Sequence, residues 1–273
     1  MDHPIHNDYP SDFEAKKSII EVGRRMYAKS FVAANDGNIS CKVSDDTIWC
    51  TPTGVSKGYM TDDMLVLMRL NGEVLRGQLK PSSEIKMHLR VYQENPAMKA
   101  VVHAHPPAAT SYAVAGLPLN QAILTEAILC LGEVPLAPYA MPGTEEVPDS
   151  IAPFVKSHNG CLLANHGALT WGSTLMDAWM RMESIEYYAT VCMYTHGLIG
   201  QVNELTCAQV DRLVQRRVDT GLPSGGRPLC KDCAANGIPA CQLQGSAVAG
   251  DSSEVDIKAI ADIVRSILAL RNR

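Results

Sequence analysis

Two histidines separated by one residue are the most informative chemical feature of this sequence of 273 residues. His103 and His105 belong to a β-branched, apolar segment that is typical of a strand, and strand side chains two positions apart point to the same face. A third histidine, His166, stands before a glycine in a predicted turn. Three imidazoles that leave one position open are typical of a catalytic zinc site. The pattern predicts a metalloenzyme that uses zinc or another divalent first-row ion.

A second motif, Lys80-Pro81-Ser82-Ser83-Glu84, predicts the start of a helix that runs to about residue 94. Free backbone N–H groups, two hydroxyls and the positive end of the helix dipole would form an anion site there. A carboxylate beside a metal can be a ligand, a base, or both in turn. Taken alone, such a motif is more often a plain helix cap. His88, on the same predicted helix, is the alternative metal ligand.

Two turn motifs, Asp36-Gly37-Asn38 and Thr51-Pro52-Thr53-Gly54, offer further groups for an anion. Glycine lets a backbone approach a ligand closely, and Asn and Thr side chains donate neutral hydrogen bonds to phosphate oxygens. Alone, both motifs are ordinary turns. The sequence has neither a Gly-x-Gly-x-x-Gly fingerprint nor a Walker loop, so we expect no nucleotide cofactor.

The elements that must position these residues follow from hydrophobic periodicity and turn signals. They alternate as short strands and helices, which predicts a layered α/β or α+β domain that ends near residue 220. The predicted helices are 11–29, 81–94, one beginning at 106–107, 174–196 and 206–219, and the predicted strands are 38–43, 47–51, 65–69, 100–105, 134–139, 161–164 and 168–171. Asn71-Gly72 predicts a hairpin after the third strand.

Composition limits the class of protein. The chain is 46% hydrophobic and 19% charged, with a net charge of -5, which is typical of a globular protein with a real core. It shows no basic stripe for nucleic acid. Its first residues lack the charged and apolar regions that are typical of a leader segment, and no apolar run approaches the roughly 20 residues that span a membrane. We therefore expect a cytoplasmic protein that binds neither nucleic acid nor membrane.

The motifs, in this order, resemble the class II aldolase/adducin family. The residues that carry the resemblance, which covers roughly 11–220, are Gly37-Asn38, Thr53-Gly54, Pro81-Ser82-Ser83-Glu84, His103-Ala104-His105-Pro106 and Asn165-His166-Gly167. The resemblance implies a three-layer α-β-α sandwich around a mixed, largely antiparallel sheet. It also implies a homotetramer with active sites between subunits.

The resemblance further assigns roles to residues. His103, His105 and His166 would bind one Zn²⁺ per subunit, and Glu84 would be the fourth ligand at rest and the acid/base during turnover. The substrate phosphate would be held by Asn38, Thr53, Gly54, Ser82 and Ser83. The implied reaction is cleavage of a phosphorylated ketose, a deoxyketose 1-phosphate similar to L-fuculose 1-phosphate, to dihydroxyacetone phosphate and an aldehyde. The metal would stabilise the enediolate that C–C cleavage leaves.

Glutamate at position 84 favours an aldolase, because the 4-epimerases of the family carry aspartate there. Dehydration of methylthioribulose 1-phosphate and epimerisation of a sugar phosphate stay open as alternatives. One departure concerns the tyrosines that protonate the aldehyde oxygen in the aldolases, since this chain has Thr125-Glu126-Ala127 and Asp219-Thr220-Gly221 in their places. Glu126 could replace the first tyrosine as an acid of raised pKa if it is buried. A different class of function is a non-catalytic, adducin-like assembly module, which would not need three histidines and Glu84.

The C-terminal part differs in composition from the rest. Residues 221–250 are rich in Gly and Pro and predict a linker or a small loop organised by cysteines. Of the nine cysteines of the chain, five or six lie in apolar contexts and are expected to be reduced core residues. The spacing of Cys230, Cys233 and Cys241 is compatible with a metal site whose fourth ligand is Cys207 or an external group, but it favours free thiols. Residues 251–273 predict an amphipathic helix that resembles the encapsulation peptides of bacterial microcompartments, with a packing or oligomerisation helix as the alternative.

Overall fold

A sheet of eight strands forms the centre of the protein. The computed structural model describes residues 9–200 and 202–231. The strands are β1 (Asn38–Lys42), β2 (Thr47–Cys50), β3 (Val66–Arg69), β4 (Val74–Arg76), β5 (Ala100–Ala104), β6 (Leu136–Ala137), β7 (Gly160–Leu163) and β8 (Gly167–Gly172). Their order in the sheet is β4-β3-β2-β1-β5-β8-β7-β6, and every pair is antiparallel except β6 with β7.

Helices cover both faces of this sheet. They are α1 (Asp12–Ala28), α2 (Ile85–Glu94), α3 (Pro107–Ala115), α4 (Thr125–Cys130), α5 (Glu146–Ile151), α6 (Leu175–Ile199) and α7 (Cys207–Asp219). One apolar core lies between the sheet and α1, α3 and α6, and a second lies between the sheet and α2 and α5. The mixed, largely antiparallel sheet between two helical layers confirms the predicted α/β fold.

Local sequence signals explain why α1 and the β3–β4 hairpin were predicted from the sequence. Helix α1 begins at a capping box, in which the Ser11 side chain accepts from the Glu14 N–H and the Glu14 carboxylate accepts from the Ser11 N–H. Its buried face includes Ile19 and Met26, at helical spacing. The Asn71-Gly72 pair joins β3 to β4 as a hairpin, as predicted.

The predicted elements differ from the structure in three places. Helix α2 begins at Ile85 rather than beside the serines, the strand predicted at 134–139 contracts to two residues, and the short helices α4 and α5 were not expected. Short elements carry too few residues for a periodic signal to stand out.

The segment predicted as the start of a linker is docked on the domain as far as the structure describes it. The backbone of Leu229 exchanges hydrogen bonds with Asn120 and Ala122, at 2.7 and 3.0 Å. Cys230 is joined to Cys207 by a disulfide. The expectation of a reduced or metal-binding Cys230 is therefore wrong. Residues 232–273, with Cys233, Cys241 and the predicted C-terminal helix, lie outside the described residues.

Within the described ranges, no helix is both long and apolar enough to cross a membrane.

Candidate metal centre and anion cleft

Strand β5 carries the first two histidines to one end of the sheet. His103 pairs with Asn38 of β1 on one side and with Leu169 of β8 on the other, and its side chain is completely buried. Its Nδ1 lies 2.9 Å from the Ala168 carbonyl oxygen, which makes Nδ1 the donor and leaves the Nε2 lone pair free. His105 follows directly after the strand, with its Nε2 3.1 Å from Nε2 of His103.

The turn between β7 and β8 carries the third histidine. Asn165 adopts a left-handed conformation, with φ of 56°, and it reverses the chain before His166. Gly167 packs so closely that a Cβ there would lie 2.6 Å from both the Ala104 carbonyl oxygen and Cδ2 of His105. The Asn-His-Gly motif thus has a physical reason, because only glycine lets this turn lie against His105.

The three imidazoles form a group suited to a metal. One nitrogen from each of His103, His105 and His166 lies within 4.8 Å of the others. Burial lowers the pKa of His103 well below its ordinary value, and burial followed by the charge of His166 lowers the pKa of His105. A divalent cation binds the neutral form of imidazole, and burial favours that form at His103 and His105. The donor set therefore fits a first-row divalent metal.

Glu84 completes this group. Its Oε1 lies 3.1 Å from Nε2 of His166, and its Oε2 lies 3.5 Å from Nε2 of His103 and 2.9 Å from Nδ2 of Asn38. Burial alone would raise the pKa of Glu84. The nearby imidazoles of His103 and His166 and the hydrogen bond from the Asn38 amide outweigh burial and hold the pKa of Glu84 well below its ordinary value. The side chain is an ionised carboxylate in position to be a metal ligand.

The position of Glu84 corrects one expectation about the helix. Glu84 is the residue before α2 and its side chain makes no capping hydrogen bond. The Ser82 hydroxyl accepts from the Glu84 N–H at 3.3 Å rather than capping the helix deeper in its first turn. This turn leaves the carboxylate free to face the histidines.

A polar cleft of about 120 Å³ opens beside the metal group. The loop around Thr53 and the loop around Ser82 form one side of it. Two backbone hydrogen bonds join these loops: Thr53 N–H donates to the Lys80 carbonyl at 3.0 Å, and Ser82 N–H donates to the Thr51 carbonyl at 3.2 Å. Its lining residues are Asn35, Asp36, Gly37, Asn38, Pro52, Thr53, Ser82, Ser83, Glu84 and His105. The structure thus brings four of the five predicted phosphate-binding residues to one cleft. Gly54 lies next to it and supplies the left-handed turn, with φ of 74°.

Lys57 is a buried cation near the cleft that the sequence did not reveal. It is 1% exposed, and its Nζ donates to the carbonyl oxygens of Asn35 and Val55 at 2.8 and 2.7 Å. Burial lowers its pKa to about 8, against the opposing charges of Asp36 and Glu84. It ties the Asn35 loop to the Thr53 loop. A single lysine in a polar stretch carries no sequence signal for this role.

His88 does not join the metal group. It is completely buried under the sheet, where its Nε2 contacts Oδ1 of Asn38 and its Nδ1 contacts the Ser40 hydroxyl. His88 is therefore a neighbour of Asn38, which lies between it and Glu84.

Glu126 lies on the surface of the chain, in the first turn of α4. The burial on which its predicted role as an acid depended is absent in the single chain. It is not among the residues that line the described cleft, and neither is any tyrosine.

Residues 17–193 match the model of the class II aldolase and adducin N-terminal domain. The chain belongs to the class II aldolase and adducin family. Class II aldolases depend on a metal, and the three-histidine group of this chain meets that requirement.

Two relatives and one solved structure show that proteins similar to this chain include a decarboxylase and aldolases. The chain is 30% identical over 210 residues to 3-oxo-tetronate 4-phosphate decarboxylase of Haemophilus influenzae, which covers 76% of this chain and 99% of that protein. It is 29% identical over 170 residues to L-fuculose phosphate aldolase of Methanococcus maripaludis, covering 62% of this chain and 91% of that protein. The solved L-fuculose-1-phosphate aldolase of Thermus thermophilus has a TM-score of 0.62 at 28% identity, covering 71% of this chain and 100% of that chain.

Proposed function

We propose that this enzyme is a metal-dependent carbon–carbon lyase that acts on a phosphorylated keto compound. We propose decarboxylation of a phosphorylated 3-oxo acid, of the 3-oxo-tetronate 4-phosphate kind, as its reaction. The observation that carries the proposal is the ionised Glu84 beside three converging imidazoles, next to a cleft lined by hydroxyl and amide donors. The resemblance to the Haemophilus influenzae decarboxylase over 99% of that protein supports the choice of substrate.

The metal would be held by His103, His105 and His166, with Glu84 as the fourth ligand at rest, and we propose zinc. A bound divalent ion supplies a Lewis acid for the charge that develops on the substrate's carbonyl oxygen. Asn38, Thr53, Ser82 and Ser83 hold the phosphate, with Gly54 shaping the turn, and this fixes the distance between the phosphate and the reacting carbon.

The protein's own part in the chemistry falls to Glu84. Loss of CO2 breaks the bond between the carboxyl carbon and C2, and the electron pair moves toward the C3 carbonyl to give an enediolate. A proton must then be added at C2 to give dihydroxyacetone phosphate. Glu84 is the group positioned to deliver that proton. The reaction consumes one proton in each turnover, and solvent supplies it.

The departing group distinguishes this reaction from aldol cleavage. CO2 leaves without needing a proton, whereas an aldehyde needs a second group that moves a proton at its oxygen. Of the described residues that line the cleft, none is a tyrosine, and Glu126 is exposed. A site with a single proton carrier fits decarboxylation.

Aldol cleavage of a deoxyketose 1-phosphate is the second candidate. It is supported by the likeness to L-fuculose phosphate aldolases and by the shared product, dihydroxyacetone phosphate. For this reaction Glu126 would have to enter the site of a neighbouring subunit. We propose a homotetramer with such intersubunit sites, and exposed apolar side chains along α6 support an interface there: Tyr187, Tyr194 and Leu198.

The test is an assay of both bond cleavages on the metal-loaded enzyme. Dihydroxyacetone phosphate is measured with 3-oxo-tetronate 4-phosphate and, separately, with L-fuculose 1-phosphate, each with and without a chelator. We expect faster release from the 3-oxo acid and loss of both activities on chelation. Faster cleavage of the ketose phosphate would make the enzyme an aldolase.

Two variants serve as controls. We expect Glu84→Gln to keep part of the metal and to lose turnover by about 100-fold or more. Replacing His103 and His105 by Ala should abolish metal binding. Full activity of Glu84→Gln would remove Glu84 from the mechanism, and a native protein that binds no metal would favour a non-catalytic assembly module.

We further propose that residues 251–273 direct the enzyme to a bacterial microcompartment within the cytoplasm. The proposal is supported by the amphipathic pattern of the sequence alone. This segment lies outside the described residues.

A further inference from the structure

Four hydrogen bonds in series connect Glu84 to the core beneath the sheet. Asn38 Nδ2 lies 2.9 Å from Glu84 Oε2, and Asn38 Oδ1 lies 2.5 Å from His88 Nε2. His88 Nδ1 lies 2.8 Å from Ser40 Oγ, which in turn lies 2.7 Å from the Tyr92 hydroxyl. We call Tyr92, Ser40, His88 and Asn38 the buried relay.

Strand and helix geometry build the relay. Asn38 and Ser40 are two residues apart on β1 and point to the same face, toward α2. His88 and Tyr92 are four residues apart on α2 and lie one above the other on the face toward β1. All four are at most 1% exposed, so each polar atom depends on a partner within the relay.

The direction of every hydrogen bond in the relay is determined. An ionised carboxylate only accepts, so the Asn38 amide must present its NH2 group to Glu84. The Asn38 Oδ1 atom then accepts from His88, which places the ring proton on Nε2. A neutral ring accepts at Nδ1, so Ser40 donates to it, and the Ser40 oxygen accepts from Tyr92.

We propose that His88 is a positioning residue: its Nε2–H holds Oδ1 of Asn38 and thereby aims the Asn38 NH2 group at the Glu84 carboxylate. The inference rests on the proposed function, because it gives Glu84 the part of proton carrier. If the Asn38 amide turned over, its Oδ1 would face Glu84, and like partial charges would push the carboxylate away from the histidines.

The first test reads the proton on His88 without using activity. Long-range 1H–15N spectra of the metal-loaded enzyme, labelled with 15N-histidine, should show His88 with hydrogen on Nε2 and none on Nδ1. The same spectrum should persist between pH 5.5 and 8, because burial lowers the pKa of His88 to about 3. A proton on Nδ1 would overturn the proposal whatever reaction the enzyme catalyses.

The second test separates positioning from folding by a set of variants. We expect His88→Met, which has no donor, to lower kcat by about 10- to 100-fold with full metal content, and to raise KM because Asn38 also holds the phosphate. His88→Gln, whose amide can donate to Asn38, should recover a large part of that loss. Equal kcat in the Met and Gln variants would contradict the proposal.

A matched pair at the far end of the relay tests its direction. Ser40→Ala removes the donor to Nδ1 and frees the ring to change tautomer, so kcat should fall about tenfold. Tyr92→Phe removes only a hydroxyl that donates to Ser40, so Ser40 can still donate to His88 and kcat should stay within about twofold. A larger effect of Tyr92→Phe than of Ser40→Ala would overturn the assigned direction.

Discussion

At the scale of the residue, the site depends on imidazoles that stay neutral for one reason and serve two different purposes. His103, beside the other two imidazoles, offers a lone pair to the candidate metal, whereas His88 offers a proton to Asn38. Both are completely buried, and burial disfavours the charged form of either ring. Neutral histidine is therefore a requirement of this fold as well as of its chemistry, and it makes the fold sensitive to acid.

His88 should make a measurable contribution to that sensitivity. Its pKa is about 3 in the folded chain, below the ordinary value of 6.5. As the pH falls below 6.5, His88 becomes protonated in the unfolded chain and stays neutral in the folded chain, so the free energy of unfolding falls. Between pH 7 and pH 5 the loss from this one group should be about 2 kcal/mol.

Urea unfolding of the wild type and of His88→Gln at both pH values measures this difference. The variant should lose less stability than the wild type on acidification, because its amide does not titrate. Equal losses in the two proteins would show that His88 is protonated in the folded chain, or stays neutral in both states.

At the scale of the element, the long helices and most strands could be predicted because each carries a cap, a turn signal or a full period of apolar residues. The metal group could also be predicted, since His103 and His105 share one strand face and His166 precedes an obligatory glycine. The relay could not. The residue at which α2 begins decides whether His88 faces the three histidines or the core. The helix was predicted to begin at residue 81, but Ser83 and Glu84 form a turn before it and α2 begins at Ile85.

The β7–β8 turn makes a prediction that belongs to this scale. In Gly167→Ala the new Cβ would press on the Ala104 carbonyl oxygen, which belongs to β5 and cannot move without disturbing its pairing with β8. We expect His166 to shift, metal affinity to fall by about 10-fold or more, and unfolding to become easier by about 1–3 kcal/mol.

Metal titration and thermal unfolding of Gly167→Ala check both effects. Gly197→Ala is the matched control, because a Cβ at this position in α6 meets no atom within 4 Å. It should keep wild-type metal affinity. Unchanged affinity in Gly167→Ala would mean that the turn does not set the position of His166.

At the scale of the whole molecule, the boundary of the catalytic unit lies later than composition indicates. Glycine and proline after residue 220 predict a linker, yet the described part of it supplies partners to buried groups of the domain. Asn159 Nδ2 donates to the Ser224 carbonyl at 3.0 Å, and Glu133 N–H donates to the Gly225 carbonyl at 2.7 Å. Backbone pairing of this kind needs no apolar periodicity, so a hydrophobic pattern cannot reveal it.

Two truncations test this boundary against the proposed targeting segment. A chain that ends at residue 250 keeps every contact described above, so it should retain the Tm, the metal content and the activity of the full chain while losing compartment association. A chain that ends at residue 220 leaves the Glu133 N–H without its acceptor and reduces the acceptors of the Asn159 amide from two to one, the Leu131 carbonyl. It also removes the disulfide of Cys207. Each buried group left unpaired costs about 1–3 kcal/mol, and we expect Tm to fall by at least about 5 °C.

Differential scanning calorimetry on the two truncated chains, with metal analysis of each, distinguishes the possible roles of the C-terminal part. Loss of folding in the longer chain would make residues 251–273 a packing helix and end the targeting proposal. A Tm for the shorter chain equal to that of the full chain would show that the contacts of Ser224 and Gly225 are dispensable. The expected order, with the full chain and the longer truncation equal and the shorter one less stable, places the end of the folded unit after Cys230, because that residue's disulfide partner lies in α7.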